Sequence, residues 1–118
     1  MPTWMIAAWG SDALKAAWGE GLSRARKLAS YCLTEPSAGS DAASLQTTAR
    51  RSAQHYRING TKVFSSGAGA TELLVVMDLQ TRRARPASTQ CVVAKTMVTE
   101  FLSSLLSVSA TDTLHHLR

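Results

Sequence analysis

The chain has 118 residues, 45% of them hydrophobic, and carries 13 Lys and Arg against 8 Asp and Glu for a formal net charge of +5, which suits one domain or less. No run approaches the roughly 18 to 20 apolar residues that cross a bilayer, residues 1–9 lack the basic flank of a signal peptide, and Cys32 and Cys91 form no CxxC pair, so a membrane span, a disulfide scaffold and a cysteine-based zinc site are unsupported. The basic surplus falls in three clusters, around Arg24, Arg26 and Lys27, at Arg50 and Arg51, and at Arg82, Arg83 and Arg85, without interleaved aromatics, a pattern of solvated faces rather than of a nucleic-acid platform.

In chain order, Ser11 and Asp12 can cap a helix through Ala13, Leu14, Ala16, Ala17 and Trp18, punctuated by Gly19 and Gly21. A second short helix is expected over 22–29, where Leu22, Ala25, Leu28 and Ala29 recur at spacings of three and four. Residues 34–41, Thr-Glu-Pro-Ser-Ala-Gly-Ser-Asp, then form a loop by every local signal. From Thr47 the period falls to two. Asn59-Gly60, between Tyr56-Arg57-Ile58 and Lys62-Val63-Phe64, predicts a tight hairpin, because both central residues of such a turn take positive φ. Leu73-Leu74-Val75-Val76-Met77 reads as a buried strand and Cys91-Val92-Val93 as a shorter one, giving four antiparallel strands. In the serine-rich tail, Val98, Phe101, Leu102, Leu105 and Leu106 sit at helical spacing.

The usual catalytic constellations are thin. His55, His115 and His116 lack the convergent spacing of metal ligands, and Cys32, beside Leu33, reads as a small buried hydrophobe. Glu35 and Asp41 flank the loop as an acid and base pair or, the better-supported alternative, as acceptors for its backbone amides. The loop itself suits a polar heterocycle. Gly39 lets N–H groups approach an electron-rich edge, and the Thr34 and Ser40 hydroxyls can donate to ring nitrogens or to carbonyl and phosphate oxygens. A basic cluster meeting a phosphate-bearing cofactor also stays open.

Residues 31–40, YCLTEPSAGS, continued by DAASL, resemble the acyl-CoA dehydrogenase signature YC(V/L)TEPGAGSD. In register with it, HYRINGTKVFSSGAGATELLVVM is similar to the family's HYxLNGxKxFIS(G/N)GGxADxxxVM, and the wording is nearest to short branched-chain members of the isobutyryl-CoA type. The likeness covers roughly residues 10–77, with Cys91-Val92-Val93-Ala94-Lys95 faintly similar to a later strand and the tail matching nothing expected there. The resemblance implies an α+β fold: the helical end of an N-terminal domain over 1–29, half of a middle-domain antiparallel β-barrel over 30–97, and a divergent, helical tail over 98–118.

It also implies FAD as cofactor. By motif position Tyr31, Cys32, Leu33, Thr34, Gly39, Ser40, Phe64, Ser65 and Ser66 are cofactor-binding, with Thr34 near N5, Phe64 against the isoalloxazine, Ser66 donating to it and Ser40 also meeting the acyl-CoA substrate. An electron-transferring flavoprotein is the implied partner, and a homo-oligomer or pairing with a full-length relative the implied assembly. The implied location is the mitochondrial matrix or a bacterial cytoplasm, with no targeting peptide evident. The family's general base is a glutamate of a C-terminal domain, which none of Glu35, Glu72 and Glu100 matches, so no catalytic residue is assigned and turnover by this chain alone is not expected. Two departures stand out: Ser37 replaces a usual glycine, a strain of about 1 kcal/mol if φ is positive there, and Ser65 replaces a usual isoleucine, leaving a hydroxyl in need of a partner. The competing readings are a non-catalytic interaction module and a gene fragment whose strand edges stay open.

Overall fold

The computed structural model describes residues 1–52, 55–82, 85–94, 106–107, 110–111 and 115–116. Helix α1, Pro2–Trp9, opens on a proline, whose missing N–H costs nothing in a first turn. Ser11 then caps α2, Asp12–Leu14, by accepting from the Leu14 amide at 3.2 Å. Helical backbone continues through a π-helical segment, Lys15–Gly19, into α3, Glu20–Ser23.

There it stops, so the expected helix over 22–29 does not form. Ala25 takes φ 52° and the Arg26 amide reaches back to the Gly21 carbonyl at 2.8 Å, a left-handed cap that turns the chain out of the helix before Leu28. The adjoining basic cluster is engaged internally: Arg24 and Arg26 pair with Glu20, and Lys27 Nζ lies 4.4 Å from the centre of the Trp18 ring.

The strands are β1 Ala29–Cys32, β2 Thr48–Ser52, β3 His55–Asn59, β4 Thr61–Lys62, β5 Leu73–Arg82, β6 Arg85–Ala94, β7 Leu106–Ser107, β8 Ala110–Thr111 and β9 His115–His116. The main sheet runs β8-β3-β2-β5-β6-β9, with β1 also on β5, and β4 pairs with β7 in a second sheet. β2–β3 and β5–β6 are antiparallel, but β1 and β2 both lie parallel to β5, so the sheet is mixed rather than wholly antiparallel, and among the described residues it stays open. A parallel pair needs a long crossover, and the stretch between β1 and β5 provides it.

The hairpin expected at Asn59-Gly60 is absent. The tight antiparallel connections join β2 to β3 and β5 to β6, while the chain changes sheets across Gly60. Gly60 is required for closeness, not for a positive φ: a Cβ there would stand 2.6 Å from Thr47 Cβ and 2.7 Å from its Cα.

The expected helical tail is also corrected. Its described residues are extended, β7 on β4, β8 on β3 and β9 on β6, where they cover strand edges. Ser107-Val108-Ser109-Ala110-Thr111 alternates polar and apolar in the manner of a strand, in keeping with β7 and β8 at its ends. Val98, Phe101, Leu102 and Leu105 lie outside the described residues.

β5 carries the core. Leu73, Val75 and Met77 pack with Met5, Ile6, Leu14, Leu22, Ala38 and Leu45, while Leu74 and Val76 are fully buried as well. A strand covered on both faces explains a continuous apolar run in place of alternation. Val76 separates Cys32 from Cys91 in the register, two interstrand steps or about 9 to 10 Å, beyond the reach of a disulfide. Among the described residues no helix is long and apolar enough to cross a membrane.

Candidate functional site

Two segments distant in sequence run side by side just beyond the end of β1. The Val63 amide donates to the Thr34 carbonyl at 2.8 Å, and Lys62 Nζ donates to the Leu33 carbonyl at 2.9 Å and to Glu35 Oε1 at 2.7 Å. The Lys62 and Glu35 side chains are 0% and 3% exposed, so this is a buried ion pair. Glu35 also accepts from the Gln46 amide at 2.6 Å and the Thr47 amide at 2.9 Å, and its backbone exchanges two hydrogen bonds with Ala38.

Burial by itself would raise the Glu35 carboxyl, but the Lys62 ammonium and these amides outweigh it and hold the group at about 2. Burial pulls Lys62 below the ordinary lysine value despite Glu35, Cys32 and Asp78 nearby. A fully ionised, fully engaged carboxylate is a structural anchor. Of the two readings of Glu35 and Asp41, the geometry therefore supports the loop-shaping one, since Asp41 accepts from the Ala43 amide at 3.1 Å and from the Ser44 hydroxyl.

Tyr31, Leu33, Thr34, Val63, Phe64 and Ser66 line an open hollow of about 240 Å³ beside this anchor. Phe64 stands at its rim with φ 57°, an uncommon backbone conformation for an aromatic residue, and the residue is 89% exposed. A residue held that way costs about 1 to 2 kcal/mol and persists only where its surroundings fix it. Here they do. The Val63 amide is tied to Thr34 on one side, and on the other the Ser66 carbonyl accepts from Ser30 Oγ at 2.8 Å, which in turn meets Thr71 Oγ1 at 2.7 Å. The following turn closes through Gly67, φ 74°, whose carbonyl accepts from the Thr71 amide at 2.9 Å.

Five of the nine residues singled out from the sequence, Tyr31, Leu33, Thr34, Phe64 and Ser66, thus meet at one hollow. Cys32 and Ser65 do not line it. Cys32 is fully buried, with burial pushing its thiol up against the opposing effect of the neighbouring Ser65 hydroxyl, whose Oγ is itself buried. Gly39 and Ser40 are exposed on the loop, with open space where a Gly39 Cβ would stand. Ser37 does not adopt the left-handed φ that would have strained it.

Sequence reasoning missed Lys62 as the partner of Glu35, and Ser30 with Thr71 as the support behind Ser66. The available signal was a lysine between Thr61 and Val63 in an extended segment, with two acidic residues, Glu35 and Asp41, in the facing loop.

Residues 30–113 match the acyl-CoA dehydrogenase middle domain, well past the residues 10–77 over which the sequence motifs are legible. The mitochondrial isobutyryl-CoA dehydrogenase of Bos taurus is 44% identical over 95 residues, which cover 80% of this chain and 23% of the relative. Among solved structures, an acyl-CoA dehydrogenase from Geobacillus kaustophilus superposes with a TM-score of 0.72 at 30% identity, over 79% of this chain and 25% of its own. A structure described for the electron transferring flavoprotein of Acidaminococcus fermentans superposes at 0.74 with 27% identity, over 80% and 25%. The chain therefore spans about a quarter of the length of these proteins. With the match covering most of its residues and the paired motifs meeting in space, the chain belongs to the acyl-CoA dehydrogenase family.

Proposed function

We propose that the hollow between 31–34 and 63–66 receives the isoalloxazine ring of FAD, as the flavin-facing wall of an acyl-CoA dehydrogenase middle domain. The observation that carries this reading is the convergence of the two motif segments on one hollow. Its lining fits a flat, polar-edged aromatic: Leu33 and Val63 supply apolar wall, Phe64 an exposed aromatic face, and Thr34 and Ser66 hydroxyl donors. At about 240 Å³ it is smaller than the roughly 300 to 1,000 Å³ of whole-ligand sites, which favours one end of the cofactor over all of it.

Bound there, FAD would supply a two-electron acceptor for hydride. The chain's own residues bind and orient. Thr34 and Ser66 donate to the ring edge, Tyr31 and Leu33 border it, Phe64 covers it, and Cys32 and Ser65 sit behind the wall. Gly39 and Ser40, on the exposed loop, face the junction with substrate. By analogy with the bovine relative's name we propose a short or branched acyl-CoA as substrate and mitochondria as the eukaryotic location, the cytoplasm being the bacterial one. An electron-transferring flavoprotein is the proposed electron acceptor, supported by the Acidaminococcus likeness. Proton removal falls to a group outside these 118 residues, so they bind flavin without turning over alone, with residues 1–29 ending a helical domain and a second copy or a longer relative as the assembling partner.

Titration with FAD and with lumiflavin, which carries the ring alone, tests the reading. Quenched flavin fluorescence and a shifted visible band with both ligands are expected. Unperturbed spectra at high protein concentration would refute it.

A further inference from the structure

We propose that the buried Glu35–Lys62 pair is a positioning device for the flavin-ring site, gripping the backbone on both sides of Thr34 so that its hydroxyl is held at the hollow. The inference rests on the reading of that hollow as a flavin site and goes beyond it to the residues that set its geometry.

The grip is specific. Lys62 Nζ spends one donor on the Leu33 carbonyl, before Thr34, and another on Glu35 Oε1, after it, while the next residue along, Val63, donates its amide to the Thr34 carbonyl. Three consecutive residues are therefore held by two. Lys62 and Glu35 are buried behind the wall, whereas Leu33, Thr34 and Val63 line the hollow. A slip of one residue between the segments would break the Val63–Thr34 and Lys62–Leu33 bonds and set a different residue opposite Val63.

Stability alone is a poor reason for this pair. Two charges taken out of water recover their desolvation cost only with excellent geometry, and an apolar pair of similar volume is often as stable or more so. What an apolar pair cannot do is bond the Leu33 carbonyl and the Gln46 and Thr47 amides. The first of those bonds ties the loop to 62–66 and the other two tie it to 46–47, and Phe64 takes its left-handed conformation in the same segment, next to Val63. The titratable groups that act on Lys62 are Glu35, in direct contact, and the Cys32 thiol and Asp78.

The test compares the wild-type chain with Lys62→Met and with the double variant Glu35→Gln/Lys62→Met, which leaves no unpaired buried charge if the single variant fails to fold. Each is melted, titrated with FAD, and followed by amide hydrogen exchange at Thr34 and Val63. The expected result for the double variant is cooperative melting with FAD affinity at least about tenfold weaker, a flavin band displaced from the wild-type position, and a Val63 amide that exchanges at least about tenfold faster. Wild-type affinity, band and exchange in a folded double variant overturn the proposal. If the wild-type chain itself leaves FAD unperturbed, the flavin reading fails separately. Val63 exchange then decides the positioning alone: faster exchange in the variant supports it and unchanged exchange overturns it.

Discussion

Acidification should weaken this fold through Glu35 in a defined window. The carboxyl moves from 4.5 in the unfolded chain to about 2 in the folded one, held down by Lys62 and by the Gln46 and Thr47 amides against the opposing effect of burial. A folded value below the unfolded one means that the unfolded chain takes up the proton first as pH falls. The contribution is therefore complete above about pH 4.5 and is lost progressively toward about pH 2. A lowering of this size corresponds to about 3 kcal/mol at neutral pH, of which about 2 kcal/mol is gone by about pH 3. For a domain with a total stability of about 5 to 15 kcal/mol that is a large share, and it should lower the urea midpoint by roughly 1 to 2 M. Trp4, Trp9 and Trp18 in the helical segment provide the fluorescence signal for urea titrations near pH 6 and near pH 3. Glu35→Gln is the control, since other carboxylates also titrate. The variant should start less stable and lose about 2 kcal/mol less between the two pH values. The same loss in both proteins would refute the assignment of this window to Glu35.

Three other perturbations separate packing from binding. Ser65→Ala removes a buried hydroxyl whose neighbour is the Cys32 thiol, a weak partner, and should change stability by no more than about 1 kcal/mol in thermal or urea unfolding, a larger loss showing that the Ser65–Cys32 contact holds the wall. Gly60→Ala places a Cβ against the Thr47 Cα and Cβ and should destabilise by about 1 to 3 kcal/mol; an unchanged melting temperature would show that Gly60 is not held by that contact. Phe64→Gly relieves the left-handed φ while giving up little burial, so stability should stay level or rise by up to about 1 kcal/mol as lumiflavin affinity falls, whereas intact affinity would remove Phe64 from the ring site.

Much of the hollow was legible because its lining sits in two short, contiguous segments, with Thr34 in one and Phe64 and Ser66 in the other. The apolar run at Leu73–Met77 likewise marked the buried centre of the sheet. What the sequence hid were the pairings between remote residues. Nothing local in Ala29–Cys32 announces a parallel partner forty residues on, and Lys62, in a strand-like stretch, looks solvent-facing until Glu35 is placed beside it. Asn59-Gly60 misled for a physical reason, because glycine serves close approach as well as positive φ, and here the Thr47 backbone decides which. At its described residues the tail departs from the helical expectation because Leu106–Ser107 and Ala110–Thr111 pair with otherwise open strand edges.

If residues 31–34 and 63–66 together receive a flavin ring, the amide chemical shifts of isotopically labelled protein titrated with lumiflavin will report it residue by residue. Saturable shifts concentrated at Tyr31, Leu33, Thr34, Val63, Phe64 and Ser66 are predicted, and shifts that miss those residues, or none at all, would contradict it.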